Sequence, residues 1–293
     1  MANDVALLVK SPAATTANQP PAVRDPMIRP GSKVTFDFSD PRCHPGGVIT
    51  PGAVLAGTVF TSLDTVPIQA VVQGNGGTIT VNGDGSLLFS GGGGGASGLL
   101  IGAPKQFDMS AAEYERLLWI WMKFPQAGYN TANYQQIIGI FHSNNNNSQG
   151  NIDTGVGGIR PRFGVGTPVG TAAVSYGIGS ADAPLNQVLQ LGGRFDPGAR
   201  IDYYQNGVQR TGGDTAQTDV YAPVGAEGMN FRVPNSIPMT VYRFGLVDID
   251  SSIAAETGYG YPAADVLTAA QHVAEDYKFG TGTLAGAPKV PFA

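Results

Sequence analysis

The side chains able to do chemistry are few and scattered. Three histidines, His44, His142 and His272, stand in widely separated segments with no HxH or HExxH spacing, so no local metal motif is present. The single cysteine, Cys43, adjoins His44, and neighbouring side chains on an extended backbone diverge, which argues against a thiolate–imidazole dyad. One cysteine also excludes an intramolecular disulfide, a four-thiolate zinc site and an iron–sulfur cluster built from this chain alone. There is no GxSxG elbow and no Gly-Lys pair, which removes the usual nucleophile turn and Walker A loop. Gly258 to Ala263 matches GxGxxA, but it lies too near the end of the sequence for a following strand and ribose-binding acid, and reads as a turn entering a helix.

Carboxylates offer slightly more. Of the five glutamates only Glu113 and Glu115 are two apart, in a segment of helical character where that spacing points them away from each other. No glycosidase acid pair results, and no catalytic residue is assigned. Asp248-Ile249-Asp250 is better arranged, because on a strand Asp248 and Asp250 share a face and can hold Ca²⁺ with backbone oxygens; solvated acids at a strand end are the alternative. Calcium is the one cofactor this permits. Tyr129 and Tyr134 stand beside Asn130 and Asn133, and Asn145 lies in a run of four asparagines. Flat aromatic faces and amides suit a sugar, against the alternatives of ordinary packing and solvated turns.

These candidates sit in a chain built mainly of strands. From Val34 the sequence breaks into short apolar or alternating runs such as VTFDF, IQAVVQ, TITVNG, QQIIGIFH and VYRFGLVDI, separated by Gly, Pro, Asn and Asp, which predicts a sandwich or barrel. Asn82-Gly83 and Asn206-Gly207 mark tight reversals. LLWIWMKF, residues 117–124, is apolar on both alternating faces and fits the middle of a sheet covered on both sides; a helix through both tryptophans is the competing reading. The five-glycine run from Gly91 predicts a mobile loop. One segment, about 262–279, has helical periodicity, with Pro262 in its first turn, Gly280 as its stop and His272 at a surface or partly packed position. It is expected against the sandwich edge.

Three units follow: an extended arm over residues 1–33, a sandwich over 34–280 that includes the terminal helix, and a tail over 281–293. In the arm, prolines including Pro20, Pro21 and Pro26 favour extended backbone, either disordered or draped over a neighbouring subunit, and Pro20, Pro21, Arg24, Pro26 and Arg29 are the expected assembly residues. A separate small domain over about 34–75 is the alternative to one sandwich with long insertions.

Composition narrows the class. The chain has 293 residues, 42 Gly and 21 Pro, and only 13% are charged, with 17 Lys+Arg against 22 Asp+Glu. Sparse cations and a net charge of −5 argue against nucleic acid, which needs clustered positive charge. No run of about 18–20 apolar residues marks a membrane-spanning helix. Met1 to Lys10 lacks the basic start and full apolar core of a signal peptide, so synthesis in the cytoplasm without processing is expected.

Several segments, in order, resemble the laminin-G-like, concanavalin-A-like jelly rolls common in phage and bacterial surface proteins: VTFDFSD, GGTITVNGDGSLLFSGG, LLWIWMKFPQ, QQIIGIF, RIDYYQNGVQR and VYRFGLVDIDSS, then GYPAADVLTAAQHVAEDY. Tyr203, Tyr204, Asn206 and Gly207 match the family's hairpin, whereas the tryptophan that commonly precedes it is missing and Leu189 or Leu191 takes that core position. The resemblance implies an all-β antiparallel jelly-roll sandwich, a fold used for sugar binding, adhesion and structural decoration. Together these readings predict a non-enzymatic bacteriophage virion protein of the tail, baseplate, fibre or head decoration. It would assemble as a homo-oligomer with other virion proteins, without membrane insertion. A glycan-binding adhesin or receptor-binding module is the alternative, and a glycoside hydrolase or lyase a third.

Overall fold

The computed structural model describes Asp25, Met27, Ile28 and residues 31–64, 66–74, 76–93, 97–103, 106–109, 115–125, 135–142, 148–155, 158–165, 185–196, 200–214, 229–249 and 267–282. Fifteen strands and one α-helix lie among them. In chain order the strands are β1 (Ser32–Asp37), β2 (Val59–Thr61), β3 (Gln69–Gln73), β4 (Ile79–Val81), β5 (Leu87–Ser90), β6 (Gly98–Ile101), β7 (Glu115–Lys123) and β8 (Gln135–His142). They continue with β9 (Ser148–Gly155), β10 (Gly158–Val165), β11 (Val188–Asp196), β12 (Arg200–Gln205), β13 (Val208–Asp214), β14 (Met229–Pro234) and β15 (Pro238–Ile249); the helix is α1 (Ala269–Gly280).

Two antiparallel sheets pack face to face. One runs β13-β12-β11-β7-β15-β5-β4, with β1 also paired to β15; the other runs β10-β9-β8-β14-β6-β3-β2. The all-β sandwich with a short terminal helix is the architecture expected from the sequence. The core between the sheets is apolar and continuous, joining Phe36, Phe89, Leu118, Ile120 and Met122 of the first sheet to Ile138, Ile140, Phe231 and Val233 of the second. Leu189 and Leu191 both lie in it.

β7 shows why LLWIWMKF carries no polar alternation. It is hydrogen-bonded to β11 on one side and β15 on the other, and while Leu118, Ile120 and Met122 face the core, Leu117, Trp119 and Trp121 face the opposite way into a second apolar layer. That layer is covered by α1, whose buried stripe includes Ala269, His272, Val273, Asp276 and Phe279. The three- and four-residue spacing of these positions sets them on one face of the helix. α1 therefore lies across the outer face of the sheet rather than against its edge. It also starts later than expected: Thr268 is the N-cap and forms a capping box with Gln271, so the first turn begins at Ala269 and does not include Pro262. His272 is 2% exposed, so its surface placement does not hold.

Of the two Asn-Gly turns, one is as expected and one differs. Asn206 and Gly207 have positive φ, 51° and 80°, and close the β12–β13 hairpin as a two-residue turn, as their types require. At the β4–β5 reversal Gly85, not the Asn82-Gly83 pair, takes the left-handed conformation. The first glycines after β5 are held by hydrogen bonds: Gly91 N–H donates to Asn235 Oδ1 and Gly93 N–H to the Asn235 carbonyl. Residues 91–93 are thus tied to Asn235, while Gly94 and Gly95 lie outside the described residues.

Candidate functional site

The outer face of the first sheet carries an open cleft of about 580 Å³ between its β11–β12 end and the start of α1. One wall is apolar, formed by Ile249, Leu267, Ala269 and Ala270; the other is polar, formed by Glu115, Arg194, Arg200, Asp202 and Gln209, with Tyr204 also in the lining. Pairing between strands explains how these residues meet. Arg194 on β11 lies opposite Asp202 on β12, Asp196 lies opposite Arg200, and Glu115 is brought alongside by the start of β7. Directly opposed side chains on antiparallel strands lie on one face and within reach of each other.

Arg194 organises the polar wall. Its Nε donates to Glu115 Oε2 at 2.6 Å, one terminal nitrogen to Asp202 Oδ2 at 2.9 Å, and the other to Asp196 Oδ2 at 3.4 Å. Burial opposes its charge, but hydrogen bonds and charge attraction from Glu115 and Asp202 outweigh burial and hold the guanidinium above its ordinary pKa. Asp202 is itself 1% exposed, and its second oxygen, Oδ1, accepts from Arg200 Nε at 2.7 Å and Gln209 Nε2 at 3.0 Å. Gly212, opposite Asp202 on β13, leaves the space this carboxylate occupies, since a Cβ there would collide with Asp202 Oδ1. Burial first, then the negative charge of Asp202, pushes the Tyr204 phenol up to about 12.

A second arginine lies on the same sheet face, sealed beneath α1. A bulge between Val241 and Arg243 in the pairing of β15 with β7 lets both Tyr242 and Arg243 face outward while Phe244 returns to the core. Strict alternation would have sent Arg243 inward. Instead it ion-pairs with Asp25 at 2.8 Å, Asp37 at 3.2 Å and Asp276 at 3.1 Å, and its guanidinium lies 5.0 Å from the Trp119 ring centre and 4.8 Å from that of Phe279. Burial disfavours the Arg243 charge, yet Asp25, Asp276 and Asp37 outweigh it and raise its pKa. Asp276 moves differently. It accepts from Trp121 Nε1 at 2.6 Å and Gln190 Nε2 at 2.5 Å, but it is fully buried and shares one guanidinium with two other carboxylates. Burial, reinforced by Asp25, therefore exceeds the pull of Arg243 and pushes Asp276 up to about 6. Met27, fully buried in the same layer, and Asp25 show that the last part of the expected arm packs onto the sheet rather than standing clear of the core.

The residues singled out from sequence fare unevenly. Tyr129, Asn130, Asn133, Tyr134 and Asn145 lie outside the described residues, as do Asp250 and the arm residues Pro20, Pro21, Arg24, Pro26 and Arg29. Asp248 is 2% exposed, with Oδ1 accepting from Arg116 Nε at 2.8 Å and Oδ2 3.0 Å from Lys33 Nζ. It is not a solvated acid, and two cations already engage the oxygens a calcium ion would need. No group of three or more metal-binding side chains occurs among the described residues. Cys43 accepts a hydrogen bond from the Asp37 N–H, and burial pushes its thiol pKa up; His44 Nε2 lies 2.7 Å from the Phe38 carbonyl. Neither is set up as a nucleophile or its base. Sequence reasoning missed Arg194, Arg200, Asp202 and Gln209 of the cleft, although RFDPGARID carries a signal: two Arg-x-Asp units flanking a Pro-Gly pair form cross-strand ion pairs when β11 and β12 pair.

No protein-family model and no curated protein matches this chain. Solved structures do. The botulinum neurotoxin serotype D binding domain is similar with a TM-score of 0.54 and 11% identity, over 86% of this chain and 51% of that one. The receptor binding domain of mosaic serotype C/D gives 0.54 and 10%, over 86% and 51%. The serotype D ligand binding domain in complex with N-acetylneuraminic acid gives 0.53 and 11%, over 86% and 52%. This chain spans about half the length of the structures it matches, and at such identity what they share with it is the β-sandwich fold.

Proposed function

We propose that this chain is a non-catalytic attachment module of a bacteriophage particle, a tail, baseplate, fibre or head-decoration subunit whose lectin-like sandwich engages a cell-surface glycan. The observation that carries the reading is the open cleft, which sets an apolar wall against convergent hydrogen-bonding side chains on this sandwich. A sugar has just those two surfaces, a C–H face and a rim of hydroxyls. The fold likeness to toxin receptor-binding domains, one of them bound to N-acetylneuraminic acid, supports the same reading by analogy.

A non-catalytic role is supported by how the carboxylates are used: Glu115 and Asp202 both bond to Arg194, and Asp248 to Arg116. The virion setting is supported by composition, namely the proline-rich first 33 residues, the single cysteine and the low charge. In this reading the residues before Asp25 contact other virion proteins or further copies of the chain, while Asp25 and Met27 belong to the sandwich. A broad glycan panel probed with the full chain tests attachment; reproducible binding is expected, and silence across the panel overturns it. Light scattering tests self-assembly, with a multimer expected and a monomer removing the homo-oligomer. Release of reducing ends from a bound polysaccharide would overturn the non-catalytic assignment.

A further inference from the structure

We infer that the cleft between β11–β12 and the start of α1 takes an uncharged sugar and disfavours an acidic one, an inference that rests on the glycan-binding reading and specifies its ligand class. Charge around the cleft is already matched within the protein. Arg194 and Arg200 supply two positive charges, and Glu115, Asp196 and Asp202 supply three negative ones, all joined by ion pairs of 2.6–3.4 Å. A sugar carboxylate entering this wall has to displace Glu115 or Asp202 from a guanidinium, or lie beside them as a like charge. Either route weakens binding relative to the same sugar without its carboxylate.

Neutral hydroxyls meet no such barrier. Each is both donor and acceptor, so it can give a hydrogen bond to a carboxylate and receive one from an amide or guanidinium. Glu115, whose side chain is 30% exposed, offers the first kind of group at the cleft, and Gln209 and Arg200 the second. Ile249, Leu267 and Ala270 then face the C–H surface of the ring. Gln209 is exposed and Arg200 is partly exposed at 38% of its side chain, so both can reach a ligand without unfolding any element.

The test uses the full chain against matched neutral and sialylated glycans that differ only in the terminal acid, with affinities compared for the unchanged protein, Gln209→Ala and Arg200→Ala. The expected result is binding of a neutral member at least about tenfold tighter than its sialylated partner, reduced several-fold or more by either substitution while the melting temperature changes little. Tighter binding of sialylated members that falls with Arg200→Ala overturns the ligand class and leaves the glycan reading standing. Neutral binding that neither substitution alters overturns the cleft as the site. No binding by any member overturns both.

Discussion

Arg243 and Arg194 lie on one face of one sheet, and each gathers three carboxylates, yet their surroundings make them different devices. Around Arg243 the helix α1 and the Met27 segment close over the charges, leaving its side chain with no exposure, and two aromatic rings flank the guanidinium. Around Arg194 the side chain is 21% exposed and the helix begins only at the cleft margin. The interaction between charges grows as water is excluded, and so does the cost of leaving one of them unmatched. A sealed cluster thus ties segments together, here Asp25 and Asp276 from opposite ends of the sequence onto β15. An open cluster keeps its groups available to a ligand.

The sharpest way to break this contrast is to remove the sealed cation. Arg243→Leu leaves Asp25, Asp37 and Asp276 beneath the helix without their shared partner, and a loss of about 3–5 kcal/mol in unfolding free energy is expected by denaturant titration. A change below about 1 kcal/mol would mean that water reaches these carboxylates and that the sealed cluster is not sealed. Met27→Ala tests the cover itself. Met27 is fully buried against the outer apolar layer, so truncation is expected to cost about 2–5 kcal/mol. A chain shortened to begin at Gly31 removes Met27 and Asp25 together, and any loss of oligomers in it must be read beside its lower stability.

Asp276 sharpens the contrast through pH. Its folded pKa of about 6 lies above the ordinary aspartate value of 3.8, so between those values the folded protein binds the extra proton. The contribution is complete below about pH 4 and is lost as pH rises through 6, and acidification from about 7 toward 4.5 should therefore raise the stability owed to this group, by on the order of 1–2 kcal/mol. Asp276→Asn should flatten that part of the pH profile relative to the unchanged chain. Equal profiles for the two proteins would place the Asp276 proton elsewhere.

How far the sequence revealed this arrangement depends on the range of the cause. β7 was legible because burial on both faces removes polar residues from both alternating positions, a local property of LLWIWMKF. The Asn206-Gly207 hairpin was legible because positive φ limits residue choice at that spot. Arg243 was not, because the bulge that turns it outward arises only when β15 pairs with β7. His272 was expected at a surface or partly packed position and Asp276 carried no local signal, because the burial of both depends on the sheet beneath, whose neighbours for Asp276 are Trp121, Gln190 and Arg243. Asp248 read as a strand-end acid for the same reason, its partner Arg116 being 132 residues away.

The smallest expected stability effect belongs to the open cluster and completes the comparison. In Arg200→Ala the lost ion pair is partly exposed, and Asp202 keeps both Arg194 and Gln209 as hydrogen-bond donors. Solvent screening and the remaining partners should hold the loss to about 0–1 kcal/mol, against the several expected at Arg243. Thermal unfolding of the two variants side by side measures the difference directly. A loss at Arg200 as large as that at Arg243 would show that the cleft arginines are structural ties like the sealed one, and would remove the physical basis for assigning them to a ligand.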